Sequence, residues 1–357
     1  MKRKSIALYN PYLDTMGGGE KHILSILKVF DEQGYDVVIF WDEDLTKRIE
    51  SSFSLKFANL KFLSNNFRKQ SSFEKLRTLR SFDMFFYVTD GSYFFSSAKQ
   101  NFVFSMVPDK KLYSQNVINK AKLWNYTFIS NSDFTRHWLN TWGMKSQTIH
   151  PYIDREFSKT TTDKKSKTIL SVGRFFGHLH TKNHAQIIQT FKSLRKTLLK
   201  DFTLILAGGL KQDDQEYFNN LKKMVGDDSS IILKPNVSLS ELYRLYRLST
   251  YYWHFTGFGV DENIHPEQVE HLGITPLEAM AAKCIAFCFN AGGPKEYIKD
   301  DENGYLFNNE EELEEKLQSI INDERKQKEI STKAQEFVTK HFSYDAFKQH
   351  VLSTINH

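Results

Sequence analysis

The chain has 357 residues, 25% of them charged and 40% hydrophobic, with a formal net charge of +5. This composition fits a soluble globular protein and excludes a collagen, a coiled coil or a disordered tail; the length exceeds one ordinary domain of about 150 residues and points to two. No stretch reaches the roughly 18 apolar residues of a membrane span, the apolar run after Arg3 and Lys4 is too short for a signal peptide, and two cysteines, Cys284 and Cys288, provide no disulfide framework, so a cytoplasmic protein is expected.

In chain order, residues 4–9 read as a short apolar strand, followed by Gly17, Gly18 and Gly19. Residues 20–30 then place apolar side chains at Ile23, Leu24, Leu27 and Phe30, a helical spacing. Residues 36–41 read as a buried strand, and further strands are expected at 84–88, 102–106, 126–130 and 147–150, with helices at 112–123 and 132–142. Alternating strands and helices imply parallel strands joined by crossovers. The polar run 158–167 reads as a linker. A second series follows, with strands at 168–172, 202–207, 230–233, 251–255 and 284–289 and helices at 182–199, 213–225, 239–248 and 276–282. Charged helices are expected at 310–321 and 323–340, and a last helix from Tyr344 to Ile355. The expected division is a first domain at 1–165, a second at 166–340 and a terminal segment at 341–357. The first 165 residues hold 25 Lys+Arg against 17 Asp+Glu, the remainder 23 against 26, so the positive excess belongs to the first half. Two doubly wound α/β domains in tandem place a cleft between them, with strand C-termini and helix N-termini facing it.

Four groups of residues carry candidate chemistry. Gly17, Gly18 and Gly19 between a strand and a helix allow backbone N–H groups to approach an anion, or form a plain turn. Arg174, at the end of the second half's first strand, and Lys182, at the next helix start, can reach one diphosphate or remain surface charges. Glu270 and Glu278 have seven residues between them. Pro276 suits a first helical turn, which makes Thr275 the expected N-cap and puts Glu278 in the first turn, with Gly273, Ile274 and Thr275 presenting N–H groups. Glu278 can bind ribose hydroxyls or serve as the capping-box partner of Thr275, and Glu270 can bind sugar hydroxyls.

On these residues the chain resembles retaining glycosyltransferase family 4, whose members have the GT-B fold and use nucleotide-sugar donors. The resemblance rests on Trp253-His-Phe-Thr-Gly-Phe-Gly-Val, His265-Pro-Glu267, Glu270 through Glu278, and Asn290-Ala-Gly-Gly-Pro-Lys-Glu296, and covers most of the chain. The segment from Gly257 to Gly273 is similar to lipid-linked-oligosaccharide α-mannosyltransferases and to bacterial polysaccharide relatives. The resemblance implies two Rossmann-like domains, the acceptor-side one at 1–165 and the nucleotide-sugar donor one at 166–340, with the terminal helix in 341–357 crossing back to the first. It implies that Arg174 and Lys182 neutralise the departing diphosphate, that Glu270 grips the transferred sugar, and that Glu278 binds the ribose. The backbone of Gly17, Gly18, Gly19, Gly273, Ile274 and Thr275 would hold phosphate and sugar, and Gly208, Gly209, Asn236 and Val237 would line the nucleobase. Relatives often carry a histidine in a His-x-Pro stretch of the first domain. The corresponding Phe104-Ser-Met-Val-Pro-Asp109 has none, so Ser105 and Asp109 stand as acceptor-side candidates.

Three other features read as bland. Asp42-Glu43-Asp44 has an Asp-x-Asp form but reads as a solvated loop. His180 and His184 could share a helix face but have no third ligand nearby in sequence. Cys284 and Cys288 read as core. The segment from Lys47 to Phe82 interleaves Phe53, Phe57, Phe62, Phe67, Phe73 and Phe82 with nine Lys or Arg residues, as a strand–loop–helix core or as a surface for anionic lipid on the inner face of a membrane. No nucleic-acid recognition module is visible, and no nucleic-acid partner is expected.

The resulting expectation is a metal-independent retaining hexosyltransferase with no cofactor. Its co-substrate would be a nucleotide sugar, GDP-mannose before a UDP-sugar, and its acceptor a cell-surface or lipid-linked glycan. The alternatives are an epimerase or phosphorylase of the same fold, a non-catalytic subunit that binds nucleotide sugar or glycan, and a peripheral membrane adaptor.

Overall fold

A computed structural model describes residues 3–159, 164–177 and 181–355. The chain forms two compact units, Met1–Pro151 with Phe347–His357 and Tyr152–Ala346.

The first unit is built on a seven-stranded sheet in the order β3-β2-β1-β4-β5-β6-β7, every pairing parallel. Its strands are β1 (Ser5–Tyr9), β2 (Asp36–Phe40), β3 (Leu60–Leu63), β4 (Met84–Val88), β5 (Gln100–Ser105), β6 (Tyr126–Ser130) and β7 (Ser146–Thr148). The helices are α1 (Gly18–Glu32), α2 (Thr46–Phe53), α3 (Ser72–Leu79), α4 (Val117–Lys122) and α5 (Asp133–Thr141). The run Met-Phe-Phe-Tyr-Val of β4 is buried throughout, as a central parallel strand covered on both faces requires. The helix expected over 112–123 is cut to α4, whose start is fixed by the Asn116 side chain accepting from Asn119 N.

The basic segment from Lys47 to Phe82 folds as α2, β3 and α3. Phe67 and Phe82 are core residues, Phe67 stacking on Phe40 at 4.8 Å, and Phe53, Phe57 and Phe62 are half-buried. Only Phe73 among these six stands exposed, so the phenylalanines expected at a lipid surface largely fill the interior. Asp42 accepts from Asn65 N at 2.7 Å, holding the chain just past β3, and Asp44 accepts from Thr46 N at 2.9 Å in a local turn.

The second unit has a six-stranded parallel sheet in the order β10-β9-β8-β11-β12-β13. The strands are β8 (Ser166–Val172), β9 (Thr203–Gly208), β10 (Ile231–Pro235), β11 (Ser249–His254), β12 (Ile285–Phe289) and β13 (Tyr305–Phe307). The helices are α6 (His184–Leu194), α7 (Gln215–Val225), α8 (Leu239–Leu248), α9 (Ile274–Ala281), α10 (Pro294–Tyr297), α11 (Glu310–Gln318), α12 (Glu324–His341) and α13 (Tyr344–Ile355), the last passing into the first unit from Phe347 onward. Within the first unit, Lys348 pairs with Glu32 at 2.7 Å and Ile355 O accepts from Gln100.

The units divide after Pro151, ahead of the expected boundary at Lys165. Residues 160–163 of the expected linker lie outside the described residues, but Lys165 is anchored in the second unit. Its Nζ donates to the carbonyls of Tyr246, Ser249 and Ala282, which close the C-terminal ends of α8 and α9. A cation suits those helix ends, and burial pushes the Lys165 pKa down. Cys284 and Cys288 are free and buried. No helix among the described residues is long and apolar enough to cross a membrane.

Candidate functional site

In the second unit the chain leaves β8 toward β9 and β10, then returns to the opposite side of β8 as β11, β12 and β13. A doubly wound sheet opens a crevice at such a reversal, beyond the carboxyl ends of the strands. Gly173 and Arg174 follow β8, and His254 ends β11.

Close backbone approach shapes this corner. A Cβ at Gly208 would lie 1.8 Å from Gly173 O, and one at Gly173 would lie 2.4 Å from Lys182 Cγ. The absent side chains let Gly173 N donate to Ala207 O at 2.9 Å and let the Lys182 stem cross over the turn. Arg174 is exposed, its guanidinium 4.8 Å from the centroid of the Phe176 ring.

Lys182 points inward. Its Nζ is 2.5 Å from Glu270 Oε2, and the same oxygen is 2.8 Å from Nε2 of His254. Asn183 fixes the arrangement. It takes a left-handed conformation (φ 51°) and donates from Nδ2 to Phe255 O at 2.7 Å, tying the start of α6 to the end of β11. This is why the helix expected from Lys182 starts at His184. Burial would raise the Glu270 pKa, but Lys182 and His254 outweigh it and hold the carboxyl well below its ordinary value. Burial of His254 exceeds the pull of Glu270 and lowers its pKa, so the ring is neutral and donates from Nε2. Both contacts of Glu270 among the described residues fall on Oε2, which leaves Oε1 for a ligand hydroxyl.

Glu270 is also held through its backbone. Gly293 N donates to Glu270 O at 2.8 Å, and a Cβ at Gly292 would lie 2.0 Å from that oxygen. Glu262 accepts from Gly292 N at 2.6 Å and pairs with Lys295, fastening the Asn290–Gly293 turn against Glu270.

The start of α9 differs from expectation. Gly273, with φ 89°, is the N-cap instead of Thr275, because a left-handed residue is needed there and Tyr297 Oη would sit 2.6 Å from a Cβ. The helix therefore begins at Ile274, and Glu278 falls past the first turn. Thr275 is not a capping-box partner; its Oγ1 accepts from Tyr252 Oη at 2.8 Å. Glu278 Oε2 accepts from Tyr246 Oη at 2.9 Å. Ile274, Thr275 and Glu278 are half-buried, so the helix start faces partly outward.

Gly208, Gly209, Asn236 and Val237 lie together at the ends of β9 and β10. Asn236 N donates to Gly208 O at 2.8 Å, and the Asn236 side chain exchanges bonds with the Leu210 backbone at 2.8 and 3.1 Å. Gly17, Gly18, Gly19, Ser105 and Asp109 belong to the first unit. Gly17 caps α1, and the buried Glu20 carboxylate already accepts from Gly17 N at 2.9 Å and Thr15 Oγ1 at 2.7 Å. Gly19 leaves space for Met106, whose Sδ would be 2.1 Å from a Cβ. Ser105 is fully buried at the end of β5, and Asp109 accepts from Lys111 N at 3.0 Å as a turn cap. His180 lies outside the described residues. His184 is buried, stacked on Phe175 at 4.8 Å and 3.2 Å from Tyr217 Oη.

Sequence reasoning met Asn183 beside Lys182 and His254 within the Trp253-His-Phe motif but gave His254 no role, and it passed over Tyr246, Tyr252 and Glu262. A signal existed for His254, a polar residue in the last position of β11 directly after Tyr251, Tyr252 and Trp253. The tyrosines carried none, because aromatic residues in a helix and a strand read as core.

The Glycosyl transferases group 1 family matches residues 153–337, just over half of the chain. A human GDP-Man:Man(3)GlcNAc(2)-PP-Dol alpha-1,2-mannosyltransferase is 28% identical over 246 residues, 63% of this chain and 47% of that protein. The Alpha-1,3/1,6-mannosyltransferase ALG2 of Rhizomucor pusillus is 24% identical over 205 residues, 52% of this chain and 44% of that protein. The aligned region thus spans about half the length of these curated relatives. Among solved structures, Anabaena HepE in complex with UDP and glucose has a TM-score of 0.71 at 16% identity, covering 99% of this chain and 100% of that one. A glycosyltransferase from Rickettsia africae has a TM-score of 0.73 at 17% identity, covering 100% and 98%. At such identities the likeness concerns the fold, which is that of GT-B glycosyltransferases, with two parallel α/β Rossmann-like units. The chain belongs to the group 1 glycosyl transferases.

Proposed function

We propose that this chain is a metal-independent retaining glycosyltransferase that moves mannose from GDP-mannose onto a lipid-linked or cell-surface glycan, working on the cytoplasmic side. The observation that carries the reading is the carboxylate of Glu270 gripped by Lys182 and His254 at the sheet reversal, with Glu278 eight residues on along the start of α9.

In such a transfer the bond between the anomeric carbon and the donor diphosphate breaks, the acceptor oxygen bonds to that carbon, and the acceptor proton passes to the leaving phosphate. The enzyme must stabilise a separating diphosphate and a sugar with oxocarbenium character, so fixed charges dominate. Lys182 has three donors and can keep Glu270 while adding a phosphate oxygen. Arg174, exposed and unburdened by an ion pair among the described residues, can swing onto the same diphosphate. The first-turn N–H groups of α9 supply positive potential for phosphate or sugar oxygens. Glu270 Oε1 would accept from sugar hydroxyls, Glu278 from the ribose, and the pinned Gly208–Gly209 and Asn236–Val237 turns would flank the base. The names of the mannosyltransferase relatives support GDP-mannose as donor.

The test is turnover with a panel of GDP- and UDP-sugars, each with and without a lipid-linked oligosaccharide, in the presence of a chelator. Product from GDP-mannose with retained anomeric configuration is expected. Turnover of a UDP-sugar alone would replace the donor, and a lack of both binding and turnover across the panel would remove the enzyme reading.

A further inference from the structure

In the first unit, α4 and the turn after it carry a convex face that nothing in that unit covers. Val117 is 84% exposed, Ile118 65% and Trp124 77%, with the exposed Ala121 between them. Val117 and Ala121 are one helical turn apart on α4 with Ile118 beside them, and Trp124 stands exposed in the turn that follows. Single exposed apolar residues are ordinary, but three large ones within eight residues form a patch.

The patch is not a frayed end. Asn116 caps α4 through Asn119 N at 2.8 Å, Asn119 Nδ2 donates to Ser114 O, and Asn125 Nδ2 donates to Ser96 O at 3.0 Å. Leu123 turns inward onto the cluster containing Tyr113, Phe128 and Leu139. The helix is thus held by its inner side and displays its apolar side.

Charge surrounds this face. Lys120 and Lys122 lie on α4 itself, Lys110 and Lys111 precede its first residue by seven and six positions in sequence, and no Asp or Glu occurs from Lys110 to Ser132. The nearest acid in sequence, Asp109, is occupied as a turn cap. Lys75 of α3 is close enough to Lys122 for the two like charges to repel, which adds to burial in lowering the Lys75 pKa. Basic side chains ringing an exposed tryptophan and two branched aliphatics match an acidic headgroup layer over acyl chains, where indole rings settle at the interface.

We propose that the outer face of α4 and the turn after it, with Val117, Ile118 and Trp124 as the inserted residues and Lys120 and Lys122 as headgroup contacts joined by the preceding Lys110 and Lys111, docks this protein on an anionic lipid bilayer. This moves the membrane contact from the Lys47–Phe82 segment, whose phenylalanines apart from Phe73 are buried or half-buried, to α4 and the turn after it. The inference is independent of the chemistry assigned to the second unit, because docking is read without donor or acceptor.

The experiment is co-sedimentation of the full chain with vesicles of phosphatidylcholine alone or mixed with phosphatidylglycerol. Binding to the anionic vesicles only, weakening with salt, is expected. The triple variant Val117→Ser, Ile118→Ser, Trp124→Ser should lose at least about tenfold in partitioning. Lys120→Gln and Lys122→Gln should each lose about fivefold. Val117, Ile118, Lys120 and Trp124 are exposed and Lys122 is half-buried, and circular dichroism checks that the variants remain folded. Failure of the wild type to bind anionic vesicles, wild-type binding by the triple variant, or equal binding to neutral vesicles would overturn the proposal. A concentration-dependent dimer that the triple variant abolishes, without vesicle binding, would assign the face to a second copy of the chain instead.

Discussion

Lys182 and Glu270 form an ion pair at 2.5 Å across 88 residues of sequence, and the geometry of α6, β11 and the Gly292–Gly293 turn converges on it. Side-chain exposures of 21% and 16% make the pair partly desolvated, so its members act as a unit. Glu270→Gln retains the shape and removes the charge. Hydrogen bonds to a charged group are worth about 1.5–3 kcal/mol, which predicts a kcat about 10- to 150-fold lower for glycosyl transfer. Steady-state kinetics with saturating donor is the check, and a wild-type kcat would remove Glu270 from the reaction.

Arg174 differs because it is exposed and contributes little to folding. Arg174→Ala is expected to leave the melting temperature within about 2 °C of wild type. Its kcat should fall, since the guanidinium counts most while the diphosphate departs. An unchanged kcat with a raised KM would show that Arg174 only helps the donor to bind.

Glu278 is positioned by the Tyr246 hydroxyl, so the two should act on the same quantity with different weight. Glu278→Ala should weaken GDP binding by about 1.5–3 kcal/mol, and Tyr246→Phe by about 0.5–1.5 kcal/mol. Titration calorimetry with GDP reads both. Equal affinity in the Glu278 variant would contradict a ribose contact and leave the carboxylate as a partner of Tyr246.

Much of this was legible in the sequence, and the exceptions share a cause. Strand–helix alternation and apolar runs such as that of β4 carry the parallel sheets, because burial on both faces leaves a direct compositional trace. The spacing of Glu270 and Glu278 located both carboxylates. Their partners were hidden, since the contact of His254 with Glu270 arises from two chain segments meeting at a sheet reversal. The N-cap of α9 was misplaced because Thr275 has the composition of a cap, whereas backbone crowding by Tyr297 decides for Gly273. The aromatic-basic stretch from Lys47 to Phe82 left core and lipid surface as alternative readings for a related reason. Phenylalanines of a core and of an interface have one composition, and only the fold separates them.

Acid should destabilise the protein well before its carboxylates titrate. Burial, the larger cause in each case, lowers the pKa of His22 and of His184 to about 3, and lowers that of His254 as well. The unfolded chain protonates its histidines near an ordinary value of about 6.5 while the folded chain does not. Stability is therefore complete above about pH 6.5 and falls as the pH drops from there toward 3, by up to about 1.4 kcal/mol per pH unit for each histidine. Urea unfolding at pH 7, 6 and 5 measures the slope. His22→Phe, which keeps an aromatic ring beside Phe104 and Phe347, should make it shallower for the first unit, and an unchanged slope would mean that His22 takes a proton in the folded state.

The glycines at the corner of β8 and β9 separate folding from function. A methyl at Gly208 would meet backbone, Gly173 O at 1.8 Å and Gly173 C at 2.5 Å, and neither strand can yield without disturbing the ladder between them. Gly208→Ala is expected to cost about 1–3 kcal/mol or more. A methyl at Gly173 meets the Lys182 side chain, with Cγ at 2.4 Å, which can move aside. Gly173→Ala should thus fold with a smaller loss, but in moving it draws Nζ away from Glu270, so turnover should fall toward that of a Lys182 variant. Gly209 supplies the control, since its added Cβ would make only an ordinary contact with Arg174 Cγ at 3.8 Å. Thermal denaturation of the three alanine variants should rank Gly209, Gly173 and Gly208 in order of increasing loss. Full activity in a stably folded Gly173→Ala would show that Lys182 does not need its present path across the turn.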